Sequence, residues 1–122
     1  MWVAFTFLIM EILQLNTRPQ TLDVIRKGDI KEYAREIRPK TQEKYCEIDE
    51  DGYVKDIDGV LQPRHYDAVK FVCGHESYTC KIEKAWIELF ENENHEFIIY
   101  TENNEEYLAA QVVYLLVERI TL

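Results

Sequence analysis

Apolar residues recur along this chain at two periods, and the switches between them mark its elements. In "EILQL", residues 11–15, Leu13 and Leu15 alternate with Ile12 and Gln14, which predicts a short strand. Next comes "NTRPQTLDVIRKG", where Leu22 and Ile25 form an inward stripe at helical spacing and Pro19 suits a first turn. Thr17 and Gln20 have the spacing of a capping box, and Gly28 suits the left-handed position that ends a helix.

The stretch "RKGDIKEYAREIRPK", residues 26–40, fits both periods. Ile30, Tyr33, Ala34 and Ile37 fall at i, i+3, i+4 and i+7, one face of a helix. Alternate residues from Lys31 to Ile37 instead form the faces of a strand, which puts Lys31 and Arg35 beside Tyr33 and Ile37. Gly28 has already ended one helix and Pro39 limits a second to barely two turns, so the context favours the strand. A strand points two cations at whatever that face covers.

Beyond Pro39, Asp51-Gly52 and Asp58-Gly59 are hairpin-turn dipeptides between β-compatible residues, which predicts a meander or a long decorated loop. "YDAVKFVCG" and "SYTCKIEKAWIELF" predict two strands joined by a turn at Gly74 to Ser77, and "HEFIIYTE" another. In "EEYLAAQVVYLLVERITL", Val, Tyr and Ile favour strand while Leu and Ala also allow helix. The sum is one α+β, mostly β domain over residues 10–122: a small β-barrel with one or two short helices. The opening "MWVAFTFLIM" is too short to span a bilayer and lacks a basic n-region and a cleavage site, so no membrane association is expected. Residues 1–9 read either as an apolar extension upstream of a natural start at Met10 or as a longer first strand.

Charge changes this picture. The net charge is −9, which argues against indiscriminate coating of nucleic acid. Arg18 to Lys44 nevertheless carries a net +3, so the remainder carries −12. This asymmetry reads either as a patch for an anionic ligand or as a solvated mixed-charge face. Cys46, Cys73 and Cys80, with no convincing secretion signal, point to reduced thiols and a cytoplasmic protein.

Metal and nucleophile chemistry find little support. Asp49, Asp51 and Tyr53 lack the third oxygen ligand of a calcium loop. Cys73, His75 and Cys80, completed by Cys46, His65 or His95, would give four zinc ligands, but strand and turn placement sets the two cysteines near opposite ends of one hairpin. No metal and no cofactor is expected, and no spacing marks a Cys–His pair oriented by a third group. "PRHYDAVKF" gathers Arg64, His65, Tyr66 and Asp67 before a strand; they either line a pocket mouth or cap the strand, with Tyr66 in the core.

Four segments, "LQLNTRPQTLDVIRKGD", "KEYAREIRP", "PRHYDAVKFVCG" and "AAQVVYLLVERI", together resemble the ASCH domain, a small β-barrel related to the PUA domain. The resemblance covers most of the chain from Met10 and implies a PUA-like barrel. It implies a site lysine and acid best met here by Lys31 and Glu36, provided a one-residue bulge lies near Ile30. The family's reported amidohydrolases carry a threonine three residues after that lysine. Ala34 stands there, which leans against an enzyme.

Three functions follow from these readings. The first is a binding module whose cleft, lined by Lys31, Tyr33, Arg35, Arg38, Arg64 and His65, accepts a nucleotide or a short single-stranded RNA segment. The second is an amidohydrolase acting on an acylated nucleoside such as N4-acetylcytidine, with Lys31 as base and Glu36, Glu76 or Glu83 handling the proton. The third is an interaction domain without a small ligand, docking on an acidic partner or forming a homodimer.

Overall fold

The computed structural model describes residues 10–121. The proposed 1–9 extension lies outside them. The chain begins with β1 (Ile12–Asn16), α1 (Pro19–Arg26) and β2 (Glu32–Ile37). A 3-10 turn over Pro39–Thr41 leads into the single-turn α2 (Gln42–Tyr45). After it come β3 (Asp56–Ile57), β4 (Val60–Leu61), β5 (Ala68–Cys73), β6 (Glu76–Leu89), β7 (Ile99–Glu102), β8 (Glu105–Leu108) and β9 (Ala110–Arg119).

The fold is therefore mostly β with two short helices. Five strands form one sheet in the order β1-β5-β6-β9-β2, with β1 parallel to β5 and the other pairs antiparallel. The sheet curls into a half-barrel, so β1 and β2 remain two edges and do not pair with each other. Two further ribbons, β3-β4 and β7-β8, stand apart from it. No helix among the described residues is long and apolar enough to cross a membrane.

The concave face holds the core. Alternation on β9 turns Ala110, Val112, Tyr114 and Leu116 inward, where they meet Leu13 and Leu15 of β1 and Val69 and Phe71 of β5. The helix α1 closes one end with Leu22 and Ile25, both buried, each contributing roughly 1.5–3 kcal/mol. Its start departs from the capping box expected at Thr17. The N-cap is Arg18, without a side-chain cap. Thr17 is still held by the β1–β5 ladder: its backbone N–H donates to the Val72 carbonyl at 2.8 Å, which leaves the hydroxyl facing β5 and not the helix. Gly28 ends the helix at φ +75°, as expected.

Residues 32–37 are a strand. Tyr33, Arg35 and Ile37 face the concave side, while Glu32, Ala34 and Glu36 are exposed. The β2–β9 pairing runs without interruption from Glu32↔Leu115 to Ile37↔Ala110, so the bulge expected near Ile30 is absent from this strand. The irregularity lies on β6, where the register against β9 shifts between Cys80 and Ile82 and again between Ile82 and Lys84. This shift changes the parity of the inward residues on β6 from Cys80 and Ile82 to Ala85, Ile87 and Leu89. It allows one 14-residue strand to stay on the curved sheet.

Both Asp-Gly turns form. Asp58 and Gly59, at φ +52° and +84°, join β3 to β4 in the left-handed geometry that a two-residue hairpin requires. Gly52, at φ +88°, turns the chain between the bridged residues Ile48 and Val54. From Glu105 to Arg119 the final apolar segment is strand except at Ala109, where β8 gives way to β9.

Candidate functional site

Of the clefts around the half-barrel, three bear on the residues singled out from the sequence, and none of them gathers the basic ones together. The first, of about 410 Å³, lies where Ile37, Ile87, Leu89 and Ala110 of the sheet face Cys46, Val54 and Leu61 on one side and the β7-β8 ribbon on the other. Tyr100 and Tyr107 line it from the ribbon. They are cross-strand partners, their rings stacked with centroids 5.7 Å apart. Arg38 lays its guanidinium over the Tyr100 ring at 4.7 Å and pairs with Glu36 at 2.8 Å. Glu105 and Glu106 also line the cleft, and the Tyr107 hydroxyl donates to Glu105 Oε2 at 2.8 Å, which holds that phenol above its ordinary pKa.

The second cleft, of about 460 Å³, opens at the end of the sheet beside α1, between Ile25, Gly28, Ile30 and Lys31 on one side and Tyr78, Cys80, Glu83 and Leu115 on the other. Both Lys31 and Glu83 are exposed side chains. Glu83 occupies the irregular turn of register on β6, where a bulged residue is free of the ladder and can be aimed sideways. Of the three carboxylates that sequence reasoning offered as partners for Lys31, Glu83 lines this cleft with it. Glu36 pairs with Arg38, and Glu76 pairs with Arg26 at 3.6 Å.

Arg64 and His65 line a third, small cleft of about 190 Å³ with Tyr66, Glu83 and Lys84. Arg64 rests on the Tyr66 ring at 5.3 Å and donates to the Glu43 carbonyl at 3.2 Å. His65 contacts Asp67 at 3.0 Å.

Tyr33 and Arg35 serve the fold. Arg35 Nε donates to the Tyr33 hydroxyl and its Nη2 to the Asn16 carbonyl, both at 2.9 Å, while the Tyr33 ring sits edge-on to Phe71 with centroids 4.9 Å apart. Neither lines any of the three clefts described. Lys31 and the Arg64–His65 pair thus line separate clefts, Arg38 sits beside the first over Tyr100, and no single basic cleft collects them.

Sequence reasoning overlooked Tyr100 and Tyr107. Their signal was the near-mirror "YTENNEEY": Asn103 and Asn104 both adopt positive φ, +51° and +64°, and an Asn-Asn turn places the flanking tyrosines opposite each other.

Two of the three thiols are buried. Cys46 lines the first cleft with its thiol buried and pushed up to about 11, so it stays protonated at neutral pH. Burial also raises Cys80. All three cysteines are free, the three histidines are exposed, and among the described residues no group of three or more His, Cys, Asp or Glu is placed to hold a metal ion.

Comparison of the chain with protein-family models, with curated proteins and with solved structures gives no match.

Proposed function

We propose that the chain is a binding module of the ASCH type, PUA-like in fold, whose 410 Å³ cleft accepts the base of a nucleotide or of an unpaired RNA residue. The observation that carries this reading is the stacked Tyr100–Tyr107 pair on the wall of an apolar cleft. An aromatic face in such a place offers a planar base a stacking surface worth about 1–3 kcal/mol. Glu105 and Glu106 on the lining repel a phosphate, so the base enters and the phosphate stays outside. Arg38, held over Tyr100, supplies a cation for it. Three free thiols suit a cytoplasmic setting for this module.

Titration with nucleosides, nucleoside monophosphates and a labelled single-stranded RNA panel at low salt tests the reading. Binding of base-containing ligands, weakened in Tyr100→Ala, is the expected result. No binding of any of them overturns it.

The presence of Lys31 and Glu83 on the lining of the same 460 Å³ cleft favours a second reading, hydrolysis of an acylated nucleoside. Here Lys31 would act on the attacking water and Glu83 would pass the proton to the leaving amine. Ala34, in the position of the family's threonine, is exposed on the face of β2 opposite Tyr33 and Arg35. Release of cytidine from N4-acetylcytidine by the wild type, lost in Lys31→Ala and in Glu83→Gln, is the outcome this reading requires. Equal rates with and without the protein exclude it for that substrate.

A further inference from the structure

The β7-β8 ribbon has two faces, and only one is accounted for. Tyr100 and Tyr107 turn toward the cleft. Ile99 and Leu108 stand directly opposite each other, 58% and 44% exposed, with Leu108 also reaching the rim of the cleft, and Phe97 precedes them at 53%. An exposed apolar cross-strand pair on a ribbon this short is costly in water, since a lone two-stranded hairpin is at best marginally stable. Among the described residues these strands pair only with each other, so each leaves one edge of backbone N–H and C=O groups open to a further strand.

Charge specifies what would cover this face. Residues 88–106, which run from the end of β6 through the ribbon, hold seven glutamates and no lysine or arginine. Glu91 bridges to Phe97, which sets one of these carboxylates beside the exposed apolar residues. A second copy docking arm to arm would bring two such acidic segments together, which like-charge repulsion opposes. A nucleic acid is opposed for the same reason.

We propose that this ribbon docks an extended segment of a partner protein in which lysine or arginine alternates with apolar residues. The segment adds a strand to the ribbon edge, with its apolar side chains on Phe97, Ile99 and Leu108 and its cations against the glutamates. Main-chain pairing gives the affinity and the alternation gives the selectivity.

The test uses three labelled synthetic peptides of equal length: alternating lysine and valine, alternating glutamate and valine, and alternating lysine and serine. Fluorescence anisotropy with the full chain should show binding of the lysine–valine peptide alone, weakened by salt. Replacing Ile99→Ser and Leu108→Ser together should weaken it by about tenfold or more. A second variant, Glu91→Lys, reverses an exposed charge opposite Phe97 and outside the cleft, and guards against misfolding of the first; it should weaken the same peptide while leaving the far-UV spectrum unchanged. The proposal is overturned if the three peptides bind alike, or if the variants bind as the wild type does. It is equally overturned if sedimentation shows a dimer that the Ile99→Ser/Leu108→Ser variant dissolves, because a second copy then occupies the face.

Discussion

Arg35 on β2 reaches across the mouth of the half-barrel and donates from Nη2 to the backbone carbonyl of Asn16 on β1, 2.9 Å away. These two strands are the outer edges of the five-stranded sheet, and no ladder joins them. One guanidinium therefore spans a seam that backbone pairing leaves open, while its Nε holds the Tyr33 hydroxyl at the same distance. Replacing Arg35→Met keeps much of the stem and removes every donor. We expect a loss of about 1–2 kcal/mol in urea unfolding, the range for hydrogen bonds from a charged group after allowance for partial exposure. Arg35→Lys should fall between, because one ammonium lacks the fixed fork that serves two acceptors at once.

Tyr114 lies at the centre of the concave face with its ring fully buried, and its hydroxyl has no hydrogen-bond partner among the described residues. Burial drives its phenol far above the ordinary range, with Tyr66, Tyr45 and Cys46 adding to the effect. Tyr114→Phe keeps the ring and discards a polar atom without a protein partner, so stability should change by less than about 1 kcal/mol in either direction. Tyr114→Ala empties the site and should cost about 3–5 kcal/mol. Denaturant unfolding of the two variants separates ring from hydroxyl.

Asp67 ties the start of β1 to the start of β5. Its Oδ2 accepts from the Glu11 backbone N–H at 2.8 Å, and its own N–H donates to the Glu11 carbonyl at 2.7 Å. The Glu11 N–H, with His65 assisting, holds the Asp67 carboxyl below its ordinary pKa. A carboxylate depressed in the folded state stabilises it above the unfolded pKa, and that stability fades as pH falls through the folded value. Asp67→Asn should therefore be less stable than wild type at neutral pH, and the gap should narrow at about pH 3. Unfolding midpoints measured at both pH values give the sign directly.

The tyrosine cleft and the Lys31 cleft should lose function separately. Tyr100→Ala removes half of the stacked pair and should weaken binding of a nucleoside by about 1–3 kcal/mol, leaving any hydrolysis at the Lys31 cleft unchanged. Lys31→Ala should leave nucleoside affinity at the tyrosine cleft unchanged. Parallel binding and product-release assays on the two variants check this, and a shared loss would mean that the clefts act as one.

Local residues determined most of the elements. The Leu22–Ile25 stripe gave α1, Gly28 ended it, the Asp-Gly turns set two hairpin loops, and Pro39 left too little room for a second long helix before α2. Those signals act within a few residues, so spacing alone reveals them. The 26–40 stretch shows the limit. Its periodicity fits helix and strand alike, and its pairing with β9, some 80 residues on in the sequence, makes it a strand. Where its side chains go was likewise decided at a distance. Alternation put Tyr33 and Arg35 on one face, but only the curl of the sheet brought Asn16 within reach and turned a candidate ligand cation into a clasp between edges. The register irregularity sought beside Lys31 lies instead on β6, the longest strand of the sheet, and is set by that strand's pairing with β9. Composition fixed the sign of the charges and the supply of tyrosines. Which tyrosines share a wall, and which cation sits beside them, was fixed by packing.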